Sequence, residues 1–193
     1  MIETLSNTTK SILFASDIFG ISDAFLALME DTDLVNNSLK ISPYPQPHIN
    51  FKNEQQAYQY FQEHGGIDAY ILALTDILKD NVHIKHVVGF SAGGAALYKI
   101  MSNLTNNNIS LTLFYPGQIR YFLDKHPNSP CHIIFPNSES HFSLPDVVEV
   151  LEQQSHIKME QNKYQHGFMN KDSRGFDLNA YNHYCRILNN LKP

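Results

Sequence analysis

A chain of 193 residues with 42% hydrophobic content can bury a sizeable core and is expected to form a single domain over residues 1–193. The 14 basic and 19 acidic residues give a net charge of −5, and no Lys/Arg cluster supplies the footprint that nucleic-acid phosphates require. No apolar run approaches membrane-spanning length, so neither nucleic acid nor a membrane is an expected partner.

Residues 1–11 carry Glu3 and several Asn and Thr, without the basic region and apolar stretch of a signal peptide. The two cysteines, Cys131 and Cys185, fall in an expected core strand and an expected terminal helix. That placement suits buried thiols of a reducing compartment, and the expected location is cytoplasmic.

In chain order, Ile12-Leu13-Phe14-Ala15 is the first strand, ending in the polar turn Ser16-Asp17-Ile18-Phe19-Gly20. Ser22 and Asp23 then start a helix through Ala24, Phe25, Leu28 and Met29. A shorter strand at 39–42 leads into residues 43–48, where Pro43, Pro45 and Pro47 forbid both helix and ladder pairing and demand a loop. Residues 53–64 have helical spacing with Ala57, Tyr58 and Phe61 on one side. After the Gly65-Gly66 break a second helix aligns Ile67, Ile71, Leu74 and Leu78.

His86-Val87-Val88-Gly89-Phe90 is a short β-branched run suited to a strand covered on both faces. Ala95, Ala96, Leu97 and Ile100 follow it at helical spacing. Between them lies Gly89-Phe90-Ser91-Ala92-Gly93, a Gly-x-Ser-x-Gly pattern. A serine on a sharp strand-to-helix turn exposes its hydroxyl, and glycine on both sides removes the side chains that would clash there. Ser91 is thus a candidate nucleophile.

Residues 111–115, 131–135 and 157–162 are three further strands, with a helix over 146–153 capped by Ser143 and a last helix over 177–191. Leu178, Tyr181, Tyr184, Cys185 and Leu188 supply the apolar face of that last helix. Strands alternating with helices specify an α/β fold, a mostly parallel sheet of about six or seven strands with helices on both faces.

An activated serine needs a base, and the base needs a group that orients it. Among ten histidines, His166 stands four residues past the last strand and ahead of the final helix. Glu139 comes four residues after Phe135, at the preceding strand end. Its rival Asp146 is assigned to the following helix. The order Ser91, Glu139, His166 is that of a serine hydrolase built on such a sheet. Tyr44, Tyr58, Tyr115 and Phe142 are candidates to line a pocket, because the loops holding Tyr44, Tyr115 and Phe142 leave the same strand ends.

Three segments carry a resemblance to the dienelactone hydrolase-like branch of the α/β-hydrolases, spanning Ile12 to Leu191. They are Asp17-Ile18-Phe19-Gly20, Gly89-Phe90-Ser91-Ala92-Gly93-Gly94, and His166-Gly167-Phe168-Met169-Asn170 with Ser173-Arg174. The resemblance implies the α/β-hydrolase fold without a large lid. It also implies Ser91 as nucleophile, His166 as base, Glu139 as orienting acid, and the backbone amides of Ile18 and Ala92 as oxyanion donors. Asp17, Tyr44 and Tyr115 are the expected substrate-binding residues.

The chain departs from the name-giving members of that family. Those use cysteine with a nearby glutamate, where Ser91 and Asp17 stand here, and aspartate where Glu139 stands. They bind a substrate carboxylate with arginines, whereas residues 43–66 contain none and position 170 is Asn170. The expected reaction is therefore hydrolysis of a small carboxylic ester, lactone or thioester through an acyl-Ser91 intermediate, with no cofactor and no metal, by a monomer or homodimer. No His-Glu-x-x-His or paired-Cys spacing accompanies the remaining histidines. The competing expectation is a hydrolase-fold binding or scaffold module without catalysis.

Overall fold

The computed structural model describes residues 10–46, 49–104 and 108–191. Residues 1–9, on which the N-terminal reading rests, and Pro47 and His48 of the proline loop lie outside the described residues.

Six strands form one sheet: β1 (Ile12–Ala15), β2 (Ser38–Ile41), β3 (His86–Phe90), β4 (Ser110–Phe114), β5 (Cys131–Phe135) and β6 (Ile157–Gln161). Their order is β2-β1-β3-β4-β5-β6, and every neighbouring pair is parallel. The helices are α1 (Asp23–Glu30), α2 (Glu54–Glu63), α3 (Gly66–Asp80), α4 (Ala92–Met101), α5 (Leu144–Leu151) and α6 (Leu178–Leu188).

The pleat divides the core in two. Ile12, Phe14, Val88, Phe90, Phe114 and Ile134 point to the face covered by α1 and α6. Leu13, Ala15, Val87, Leu111, Leu113, Ile133 and Phe135 point to the face covered by α2 to α5. Near-continuous apolar strands follow from this, since both faces are dry. Cys131 and Cys185 are free buried thiols on opposite faces, and burial pushes the Cys185 thiol up to about 11.

Local chemistry sets the helix starts. Ser22 accepts from the Phe25 amide, Asn53 from Gln56, and Asp177 from Asn179 and Ala180, satisfying donors that a helix N-terminus leaves unpaired. Gly65 at φ 90 and Gly66 at φ 57 are both left-handed, so the break falls at this pair, where α3 begins.

Several expected details differ. Tyr58 is exposed because it is rotated off the Ala57–Phe61 stripe, and Leu178 is exposed because the buried stripe of α6 begins one turn in, at Ala180 and Tyr181. On α3 the buried stripe is Gly66, Tyr70, Leu74 and Leu78, with Ile67 and Ile71 only partly buried at its edge. Tyr115 lies just outside β4 because its φ of 39 breaks the strand. Between β4 and β5 runs a short 3-10 turn, Gly117–Tyr121, with no α-helix. Among the described residues no further helical layer covers the carboxyl ends of the strands, and no helix is long and apolar enough to cross a membrane.

The chain runs outward from β1 to β2 and then returns to β3 on the other side of β1. The crevice at that reversal is where open α/β sheets place ligands. The register Ala15↔Gly89 sets the two strand ends level, so the turns carrying Asp17 and Ser91 leave the sheet side by side. Gly93 makes this possible: a Cβ there would lie 2.5 Å from the Ser16 carbonyl oxygen and 2.7 Å from that of Ala15. Both obstacles are backbone. Gly93→Ala is accordingly expected to destabilise the fold by about 1–3 kcal/mol, measured as a lowered urea midpoint with an unchanged m-value. An unshifted midpoint would show that α4 can move away from β1 without cost.

Candidate active site

Ser91 occupies the turn between β3 and α4 at φ 48, ψ −112, a strained backbone for a residue with a side chain. Such strain costs on the order of 1–3 kcal/mol and is retained where the surroundings impose it. The Ser91 amide donates to the Phe114 carbonyl at 2.9 Å, which ties the turn to the end of β4.

The Ser91 Oγ lies 3.0 Å from His166 Nε2, and His166 Nδ1 lies 2.8 Å from Glu139 Oε1. The Glu139 side chain is only 7% exposed and that of His166 36% exposed, so the carboxylate is shielded while the imidazole edge is open. With Nδ1 donating to Glu139, Nε2 is left as an acceptor facing the serine hydroxyl. The three residues selected by order and spacing are thus brought into one hydrogen-bonded chain. Asp146, the rival acid, lies exposed in the first turn of α5.

Two loops bring the acid and the imidazole to the serine. The Glu139 loop is fixed where the Asn137 amide donates to the Tyr164 carbonyl at 2.7 Å and Gln161 Nε2 donates to the Asn137 carbonyl at 2.9 Å. The His166 loop folds back on itself, with the Asn170 amide on the Gly167 carbonyl, the Ser173 amide on the Asn170 carbonyl, and Ser173 Oγ donating to Glu54 at the start of α2. Gly175 passes so close beneath that a Cβ would sit 1.9 Å from the His166 carbonyl oxygen.

The turn after β1 is pinned peptide by peptide. The Asp17 carbonyl accepts from the Gly20 amide at 3.0 Å and from Ser16 Oγ at 3.2 Å. The Ile18 carbonyl accepts from the Tyr44 hydroxyl at 2.6 Å. Because a trans peptide holds its C=O and N–H in opposed directions, fixing the Asp17 carbonyl fixes where the Ile18 N–H points. Neither the Ile18 nor the Ala92 amide donates to another group among the described residues.

The expected substrate-binding residues are placed differently from one another. Tyr44 is buried among Phe51, Tyr60 and His64, and its hydroxyl serves the Ile18 carbonyl. Asp17 and Tyr115 line a small cavity with Phe25, Phe90, Met169 and Asn170 on the α1 side of the sheet. Both carboxylate oxygens of Asp17 are engaged, Oδ1 by the Phe19 amide at 2.9 Å and Oδ2 by Asn170 Nδ2 at 2.7 Å. Tyr115 is fully buried, its ring 4.9 Å from that of His166. Burial holds the Tyr44 and Tyr115 phenols well above the ordinary tyrosine range, so both stay protonated.

The sequence offered no sign of the Asp17–Asn170 pair, which joins residues 153 positions apart. Nor did it mark Tyr70, whose hydroxyl donates to the carbonyls of Ser16 and Ile41 from the buried stripe of α3. A tyrosine among apolar positions at helical spacing was the only available cue. Among the described residues no group of three or more His, Cys, Asp or Glu could hold a metal ion.

No family model matches the chain. Among curated proteins, the uncharacterized protein YczH of Bacillus subtilis (strain 168) is 28% identical over 143 residues, covering 72% of this chain and 69% of that protein. Among solved structures, a dienelactone hydrolase-like promiscuous phosphotriesterase from metagenomic libraries superposes with a TM-score of 0.64 at 12% identity, over 94% of this chain and 84% of its own. The dienelactone hydrolase of Anabaena variabilis ATCC 29413 gives 0.60 at 17% identity, over 95% and 85%. An alpha-beta serine hydrolase homologue from Coxiella burnetii gives 0.59 at 12% identity, over 95% and 86%. The fold is that of the α/β-hydrolases. Dienelactone hydrolase-like proteins are among the structures it resembles.

Burial raises the Asp17 carboxyl from its ordinary 3.8 to about 6, against the opposing pull of its hydrogen bonds to Asn170 and Phe19. Between those two values the folded chain keeps a proton that the unfolded chain has released, so stability falls as pH rises through that window, by about 3 kcal/mol at most. The expected outcome is that the stability of Asp17→Asn relative to the parent improves by about 1–3 kcal/mol between about pH 4 and about pH 7. Urea denaturation of both proteins at the two pH values measures it. Parallel curves would mean that Asp17 ionises at its unfolded value.

Proposed function

We propose that the chain is a serine hydrolase of the dienelactone hydrolase-like type, cleaving a small carboxylic ester, lactone or thioester through an acyl-Ser91 intermediate. The observation that carries this reading is the hydrogen-bonded chain from Ser91 through His166 to Glu139, built on a strained turn at the reversal point of a parallel sheet.

In the acylation step the Ser91 oxygen attacks the carbonyl carbon of the substrate while its proton passes to His166 Nε2. Glu139 accepts the hydrogen bond from Nδ1 and stabilises the imidazolium that results. The amides of Ile18 and Ala92 receive the oxyanion of the tetrahedral intermediate, donors that can contribute a few kcal/mol when held in place beforehand. Collapse breaks the bond to the leaving group, which departs with the proton from His166. In deacylation a water gives its proton to His166, attacks the acyl carbon and releases the carboxylic acid, and the proton returns to Ser91.

Two features of the site support this substrate class. The crevice is not covered by an added helical layer among the described residues, and no arginine occupies residues 43–66 or position 170 to demand an anionic group. A neutral acyl compound of modest size is the fitting substrate.

A fluorophosphonate probe is expected to add once to the folded protein, at Ser91, since only a serine beside a base is nucleophilic enough near neutral pH. Intact mass shows the adduct, and Ser91→Ala abolishes it. A protein that stays unmodified, or an adduct that survives Ser91→Ala, would favour the catalytically silent binding module. Glu139→Gln is expected to lower turnover of a small activated ester by about 10² to 10⁴, the upper value matching the amide substitution in a comparable triad. Asp146→Asn, on the exposed side of α5, should leave kcat and KM at parent values. The reverse pattern would move the acid to Asp146.

A further inference from the structure

Asp17 occupies an unusual place for a carboxylate: the residue is 7% exposed, both oxygens are bonded, and among the described residues no cation forms an ion pair with it. A buried ionisable group without a counter-charge is costly and is retained where it does something that a neutral residue would not. Its two bonds run to different parts of the site. Oδ1 accepts from the Phe19 amide, one peptide beyond the Ile18 amide on the turn after β1. Oδ2 accepts from Asn170, four residues past His166 on the loop that carries the imidazole.

Asn170 is oriented for that contact. Its Oδ1 accepts the Asp172 amide at 2.8 Å, which leaves Nδ2 as the end that faces Asp17, and its own amide closes the turn onto the Gly167 carbonyl at 2.9 Å. The turn after β1 and the His166 loop share no strand pairing, and the Asp17–Asn170 bond is a direct link between them.

We propose that Asp17 is a positioning residue whose carboxylate clamps the turn bearing the Ile18 amide to the loop bearing His166, keeping oxyanion donor and base in register around Ser91. This rests on the hydrolase reading above and assigns Asp17 no contact with the substrate. The clamp acts on the geometry of two groups that work in the transition state, so its loss is felt in kcat more than in KM.

The hydrogen-bond arithmetic supplies the test. Asp17→Asn sets two amide groups against each other, because Asn170 cannot turn over without losing Asp172. Asn170→Asp sets two carboxylates against each other. The double variant Asp17→Asn/Asn170→Asp restores a full match: the amide at 17 accepts from Phe19 and donates across, while the carboxylate at 170 accepts from both sides. Each single variant is expected to lower kcat for a small activated ester by about 10- to 100-fold with KM changed less than about threefold, and the double variant to recover kcat to within about threefold of the parent. Asn170→Ala, which deletes the bond to Asp17 together with the one from the Asp172 amide, carries the test if a single variant fails to fold. It should lower kcat likewise and quicken hydrogen exchange at the Phe19 and Gly20 amides, although the substitution lies on the other loop. Parent-like kcat in Asn170→Ala, unchanged exchange at Phe19, or a double variant no better than the singles would each overturn the clamp. Failure of the hydrolase reading is distinguishable, because it appears as absence of the Ser91 adduct in the unsubstituted protein; that result would overturn the clamp as well.

Discussion

The contact on which the site depends is the approach of α4 to the end of β1, where Gly93 meets the Ser16 and Ala15 carbonyls without a side chain between them. It brings the first turn of α4 against the reversal point of the sheet, and the preceding residue can join β3 to that helix only through a strained backbone. Ser91 is that residue. The strain is thus a consequence of packing two backbones closely, and its cost is carried by a core in which β1, β3 and β4 are buried on both faces. A serine held this way has little freedom to withdraw from whatever faces it.

Around that fixed point the molecule arranges dipoles and does not rely on surface ion pairs. Tyr44 and Tyr70, both from the segment between β2 and β3, each place a phenol on a carbonyl near the end of β1. Burial holds both phenols well above the ordinary tyrosine range, so both stay protonated near neutral pH and serve as donors. The salt bridges, by contrast, are mostly exposed: Lys79–Asp76, Lys125–Asp124 and Lys171–Asp31 lie at the surface, where such pairs contribute little. Preorganisation here comes largely from buried neutral hydrogen bonds, joined by the shielded carboxyl groups of Asp17 and Glu139.

How far the sequence disclosed this can be judged residue by residue. The strands announced themselves because sheets covered on both faces need unbroken apolar runs, and β5 is found at residues 131–135 as expected. Ser91, Glu139 and His166 were legible because strand order in this fold fixes which loops meet at one end of the sheet, so position along the chain stands in for position in space. Tyr44 was not, since its hydroxyl acts on a carbonyl 26 residues away and nothing in a proline-flanked tyrosine distinguishes rim from core. Tyr115 was assigned to strand because β-propensity governs aromatic residues in such a run. Its φ of 39 arises from the tertiary bond of Ser91 to Phe114 and from the turn that follows, neither of which is a local preference. The Asp17–Asn170 pair is the extreme case: two polar residues 153 positions apart, each ordinary in its own neighbourhood.

The order of strands has a bearing on how the protein is made. The central strands β1, β3 and β4 are complete by Phe114, so a chain being synthesised from its amino end can close the turn at Ser91 before β5 and β6 have been made. The acid then arrives past β5, and the imidazole arrives last, on a loop whose far side is anchored by α6 against the same face as α1. A chain of this design holds Ser91 in its turn before Glu139 and His166 have joined the strand ends. The hydrogen-bonded chain through Ser91, His166 and Glu139 closes only when the loop ahead of α6 folds back over the strand ends.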